Sequence, residues 1–348
     1  MTMHLSVHGG PDGGPAITHD FSSNANPLGA PDHVLQAIQA ADRQRYPDPH
    51  YLALRDSLAR TLGLHRDRLW PTAGSSEAIR RLTLAAHLQG VKQVWVPQPG
   101  YGDYRSAALA LGLSVHAYAS GDDLLDRLST PAGPALVWLC EPCNPTGHSL
   151  PPAFWSALAE LKSAHRLTLA LDRAYEPLRL LGSDPVPAAL ADQCWQLCSP
   201  NKALGLTGVR AGYVIAPVDD TEGLGAAWSA LAPSWVLSAE GVAMLQAWHD
   251  DDTQAWLSRS RQTLACWIEA QRNALTQRGW RCLPSVVPFM LAEAPGDASA
   301  LLARLRTQGI KLRDATSFGL PGWVRVSAQA PRAQQALLMA LSDDKVSP

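Results

Sequence analysis

The sequence runs to 348 residues, of which 46% are hydrophobic and 17% charged, and its 29 basic side chains nearly balance 31 acidic ones. That composition excludes a disordered chain, and a net charge of −2 gives no footing for nucleic acid or an anionic membrane surface. No apolar run approaches the ~18 residues of a spanning helix, and the opening MTMHLSVHGGPDGG lacks the apolar core of a secretory signal. A cytoplasmic protein of about two domains, at ~150 residues each, is therefore expected.

Residues 1–30, rich in Gly, Pro and Asn, read as an extended arm. Helical periodicity begins at Pro31 with DHVLQAIQAA and resumes in YLALRDSLARTL after the turn YPDPH. Helix and strand then alternate: helix SSEAIRRLTLAAHL, strand VKQVWVPQ, helix GDYRSAALALG, strand SVHAYA, strand ALVWLCEP, helix PPAFWSALAELKSA, strand LTLALDRAYEP, then strands CWQLCSP and VRAGYVIAP. Short apolar strands separated by helices predict a mostly parallel sheet covered on both faces, an α/β domain of three layers over residues 31–235. From 236 onward the order changes to long helices at 237–248 and 253–278, strand VVPFMLAE, helix ASALLARLRTQ, strand WVRVSAQ and a last helix near 331–342. This reads as a smaller α+β domain, 236–348.

In a parallel sheet ligands collect outside the carboxyl ends of the strands, so the polar residues just beyond each strand are the candidates. Lys202, in SPNKALGLTGVRAGY, is one of only five lysines. Desolvation in such an apolar stretch lowers an amine's pKa and leaves it free to condense with an aldehyde. Asp172 ends its strand and can face a cationic ring nitrogen. Asn144 in NPTG and Tyr175, three residues after Asp172, can donate to one phenolate oxygen. The turn TAGSSEA (72–78) opens a helix whose N-terminal amides, with Gly74, Ser75 and Ser76, suit a phosphate; Ser199 and Arg210 flank Lys202 and add a hydroxyl and a cation. Tyr101, in PGYGDY, can stack on a flat ring. Cys140 and Cys143 form a single C-x-x-C, which reads as packed thiols rather than as a metal site.

Taken singly, each of these has an ordinary structural explanation as a cap, a turn or a core aromatic. Their order resembles that of the fold-type I, pyridoxal-phosphate-dependent enzymes of the class I/II aminotransferase superfamily, from about His8 to Ser327. The resemblance implies pyridoxal phosphate as cofactor, Lys202 as the lysine that binds its aldehyde and Asp172 as partner of its ring nitrogen. It further implies Arg325, in WVRVS, as the grip on a substrate α-carboxylate, and Tyr46, in RYPD, as a residue reaching the site of a second subunit in a homodimer.

Two branches of the superfamily compete. The opening HGG and the segment DFSSNANPLG (20–29), which contains Asn26, are similar to threonine-phosphate decarboxylases of cobalamin synthesis. That resemblance places His8 and Arg313 on a substrate phosphate and Asn26 beside the substrate. The stretch SFGLPGWVRVS (317–327) is at least as similar to histidinol-phosphate aminotransferases, which pass an amino group to 2-oxoglutarate. Asn201, where both branches usually carry Ser or Thr, and Cys143, where decarboxylases often carry Asn, depart from the patterns. Decarboxylation is the first expectation, amino transfer the second, and an inactive binding protein on the same fold the third.

Overall fold

In a computed structural model, residues 8–129, 133–219 and 223–342 are described; residues 1–7 of the expected arm, and Lys345, lie outside them. A seven-stranded sheet runs in the order Leu69–Thr72, Gly212–Ile215, Trp195–Cys198, Leu167–Asp172, Ala135–Cys140, Gln93–Pro97, Ser114–Tyr118. Only Gly212–Ile215 opposes the rest. The two central strands, Ala135–Cys140 and Leu167–Asp172, are buried at every position. Their alternation supplies two cores. Leu136, Trp138 and Ala170 face a layer that includes helices Ser75–Leu88 and Gly102–Ala110. Val137, Leu139, Leu169 and Leu171 face helix Pro152–Ala164 through Phe154, Trp155 and Leu158. The same alternation puts Cys140 and Asp172 on the Trp138 side, at the carboxyl ends of their strands.

The strand Leu69–Thr72 and the helices Gly121–Leu128 and Leu224–Ala230 are additional to the elements expected from the sequence. Pro71 argues against a strand, and it is tolerated because Leu69–Thr72 lies at the sheet's edge.

Toward the C-terminus a four-stranded antiparallel sheet runs Arg313–Asp314, Trp323–Ser327, Phe289–Glu293, Arg281–Cys282, backed by helices that include Asp251–Thr276 and Pro331–Ser342. The arm is less free than its composition suggests. His19–Asp20 pairs in parallel with Ile310–Lys311, the Ser327 amide donates to the Phe21 carbonyl at 2.9 Å, and Phe21 is buried among Met290, Leu305, Val324 and Val326. Among the described residues no helix is long and apolar enough to cross a membrane.

Candidate active site

A cleft of about 540 Å³ opens at the carboxyl ends of the parallel strands, between the large sheet, the arm and the C-terminal strands. Ser75, Ser76, Tyr101, Asn144, Asp172, Tyr175, Lys202, Arg210, His8, Arg313 and Arg325, chosen from sequence, all line it.

Asp172 is buried, its Oδ1 accepting the Ala174 amide at 2.9 Å and its Oδ2 the Tyr104 hydroxyl at 2.7 Å. Burial raises its pKa, and the nearby Lys202 charge opposes that most strongly. Lys202 sits in the turn after Trp195–Cys198, with Nζ 5.5 Å from the centre of the Tyr175 ring. Burial holds its amine below the ordinary 10.5, with Asp172 pulling the other way. Tyr175 is fixed by Phe289, edge-on at 4.8 Å, and accepts from Asn24 Nδ2 at 3.3 Å; burial raises its hydroxyl to about 12.

Arg325 reaches the same floor from the other side. One terminal nitrogen donates to Asn144 Oδ1 at 2.5 Å and the other to the Ser22 carbonyl at 2.7 Å. Its Nε is buried without a partner, and burial brings its pKa down to about 10. Arg313 pairs in register with Arg325 across adjacent strands and is equally buried, donating to Ser317 Oγ at 2.6 Å.

The start of helix Ser75–Leu88 fits a phosphate. Gly74 caps it at φ 90°, a left-handed conformation suited to glycine, and a Cβ there would come within 2.7 Å of the Arg210 guanidinium. Ser75 Oγ and Ser199 Oγ lie 2.6 Å apart beside it. Small residues, amides, hydroxyls and one cation thus converge where a bound phosphate needs donors. Tyr101 is pinned by Ser76 at 3.0 Å and by donation to Asp103 at 2.9 Å, with the exposed His8 ring 5.9 Å away.

Gly74 and Ser199 sit just behind the lining. Two other expected residues lie outside the cleft. Asn26 does not line the cleft: its side chain donates to the Ala203 carbonyl at 3.0 Å and accepts from Leu28 N at 3.0 Å, bracing the turn beneath Lys202. The asparagine of that segment that does line the cleft is Asn24. Tyr46 is 76% exposed, stacked on Trp235 at 4.2 Å. Cys140 lines the floor and contacts Cys143; among the described residues no cluster suits a metal ion.

Sequence reasoning passed over Tyr104, Asn24, Ser22 and Arg105. Tyr104 was within reach, because it lies one helical turn after Tyr101 in PGYGDY and so on the same helix face.

A family model described as aminotransferase class I and II matches residues 17–342. The chain belongs to that family. It is 30% identical to a histidinol-phosphate aminotransferase of Halorubrum lacusprofundi, over 88% of this chain and 83% of that protein. Among solved structures, histidinol-phosphate aminotransferase from Sinorhizobium meliloti, in complex with pyridoxal-5'-phosphate, matches with a TM-score of 0.79 and 25% identity, covering 94% of this chain and 91% of that one. L-threonine-O-3-phosphate decarboxylase from Porphyromonas gingivalis shares the fold, with a TM-score of 0.77 at 22% identity over 94% and 99% of the two chains. The chain is a pyridoxal-phosphate-dependent enzyme of fold type I.

Proposed function

We propose that the enzyme acts on a small amino compound carrying a phosphate, and that its first reaction is amino transfer of the histidinol-phosphate type, to 2-oxoglutarate. The observation that carries the substrate class is the pair of buried guanidinium groups, Arg313 and Arg325, side by side in the cleft that holds Lys202 and Asp172. Two buried cations suit a ligand with two anionic groups, or two substrates used in turn. Relatives named histidinol-phosphate aminotransferase support amino transfer, reversing the order expected from the sequence. Decarboxylation of a threonine-phosphate-like substrate is the second reading. It is favoured by the arm, which brings His8 to the mouth near Tyr101: threonine phosphate carries an α-carboxylate and a phosphate together and would engage both arginines at once.

In this reading Gly74, Ser75, Ser76, Ser199 and Arg210 hold the cofactor's phosphate, Asn144 and Tyr175 its ring oxygen, Tyr101 its ring face, Asp172 its ring nitrogen and Lys202 its aldehyde. Bound there, pyridoxal phosphate supplies an aldehyde for the substrate amine and a ring that takes up the electrons of a bond broken at the α-carbon. Asp172 keeps a proton on the ring nitrogen. Lys202, whose amine burial holds below its ordinary pKa, would take the α-proton onto Nζ and return it. Arg325 would grip an α-carboxylate, and the residues at the mouth would orient the rest of the bound substrate. Tyr46, exposed beside Trp235, completes the site of a second subunit in a homodimer. The six cysteines, all free, suit a reducing cytoplasm.

Histidinol phosphate and threonine phosphate, each offered with and without 2-oxoglutarate, separate the readings. Glutamate formed from histidinol phosphate only when 2-oxoglutarate is present supports amino transfer. CO₂ from threonine phosphate without the oxo acid supports decarboxylation. Inertness toward both, with turnover of unphosphorylated amino acids, removes the phosphate from the account.

A further inference from the structure

Asp172 is anchored from two directions. The Ala174 amide belongs to its own turn, whereas Tyr104 comes from helix Gly102–Ala110, 68 residues earlier in the chain. Tyr104 is fully buried, its ring flat on Trp138 with centroids 4.9 Å apart at 12°, and edge-on to Tyr101 at 5.7 Å. Burial, Asp172 and the adjoining Cys140 drive its pKa far above the ordinary tyrosine value, so the hydroxyl keeps its proton and donates it to Asp172. A donated hydrogen bond favours the ionised form of a carboxyl. The titratable groups facing Asp172 are Lys202 and Tyr104, which favour its charge, Asp103, which opposes it, and Cys140, Cys198 and Tyr175, whose own ionisation Asp172 disfavours.

We propose that Tyr104 is the positioning residue of this site: it fixes the rotation of the Asp172 carboxylate and keeps it anionic, so that the cofactor's ring nitrogen holds the shared proton. This rests on the reading of Asp172 as the ring-nitrogen partner. Tyr104 touches no reacting atom; it acts through Asp172.

The test uses the full chain, stripped of cofactor and reloaded with pyridoxal phosphate labelled with ¹⁵N in the ring. Two readouts are taken: the dissociation constant of the cofactor, and the pH at which the ring-nitrogen signal reports loss of its proton. Tyr104→Phe keeps the stack on Trp138 and removes only the donor. It is expected to weaken cofactor binding about ten- to a hundredfold, the worth of one hydrogen bond to a charged group, and to lower the pH of proton loss. Asp172→Asn is expected to move both readouts at least as far. If Asp172→Asn leaves both unchanged, the reading of Asp172 fails. If Asp172→Asn moves them and Tyr104→Phe does not, the proposal for Tyr104 fails by itself. A Tyr104→Phe protein that binds weakly but releases the ring proton at the wild-type pH has lost packing only, which also overturns it. Should that variant not fold, 3-fluorotyrosine at position 104 keeps the shape and strengthens the donor. The pH of proton loss is then expected to rise, and an unchanged or lower value overturns the proposal.

Discussion

The floor of the cleft and its mouth are built on different terms. On the floor, Asp172 ends a strand buried at all six positions, and Asn144 and Tyr175 follow such strands within a few residues. Each is then gripped by a second element: Asp172 by Tyr104, Asn144 by Arg325, Tyr175 by Asn24. At the mouth, His8 is exposed on the arm, and Arg105 is exposed with a Gln98 contact at 3.1 Å. Arg313, against the Phe318 ring, is by contrast buried there. On the proposed roles, the contrast divides the work: bond-breaking chemistry would rest on rigid, desolvated groups whose ionisation is set by their surroundings, and substrate choice on segments that meet solvent.

The sharpest break in that comparison is Lys202→Ala. Loss of the proton-moving amine should reduce turnover by about 10²- to 10⁴-fold, measured as product formation at saturating cofactor, for every substrate. A variant that keeps wild-type turnover would remove the floor from the mechanism.

Next come the two arginines, one serving each region. Arg325→Ala should lower kcat/KM for every amino-acid substrate, since truncating one side of a buried charge pair costs about 2–5 kcal/mol, or roughly 30-fold to several thousandfold. Arg313→Ala should cause a loss of that size with a phosphorylated substrate and little with the plain amino acid. Equal losses on both would turn the mouth into an ordinary side-chain pocket.

Rigidity of the floor has a stability readout. Arg179 donates to the fully buried Glu141 at 2.7 Å and to Glu176 at 2.8 Å, tying the loop that carries Asn144 to the one that carries Tyr175. Arg179→Ala strands Glu141 without its counter-charge and should cost about 3–5 kcal/mol in denaturant unfolding. A change within ~0.5 kcal/mol would show that the tie is dispensable.

The smallest effect is expected where the arm is latched. Asp12 pairs with Lys311 at 2.8 Å and Arg306 at 3.0 Å on the surface, and the two cations hold its carboxyl well below the usual range. Exposed pairs contribute little. Asp12→Ala should raise KM for the phosphorylated substrate by less than about threefold and leave kcat unchanged.

The same division governs what the sequence discloses. Lys202, Asp172 and Asn144 are legible because each lies at or just beyond an apolar strand, a position that period and composition mark out. Tyr104 is marked only by its spacing from Tyr101, and its role is not legible, because a tyrosine inside a helix looks like core until its hydroxyl is seen on Asp172. Asn26 and Asn24 stand two residues apart in one segment, and only folding separates them: Asn26 is tied to Ala203 and Leu28, whereas Asn24 lines the cleft against Tyr175. Leu69–Thr72 was hidden by Pro71, acceptable only at a sheet edge. The substrate is least legible: contacts at the mouth come from the arm and the C-terminal strands, distant in sequence and joined only by folding.

Reductive trapping tests the central claim most directly. The protein, loaded with pyridoxal phosphate, is reduced with borohydride and its peptides are mapped by mass, over a range of pH. The account predicts the cofactor on Lys202. With an aldehyde probe on the cofactor-free protein, it predicts labelling of Lys202 that sets in at lower pH than for an ordinary lysine, because burial depresses its pKa. Labelling at Lys92, Lys162, Lys311 or Lys345, or none on Lys202, would contradict it.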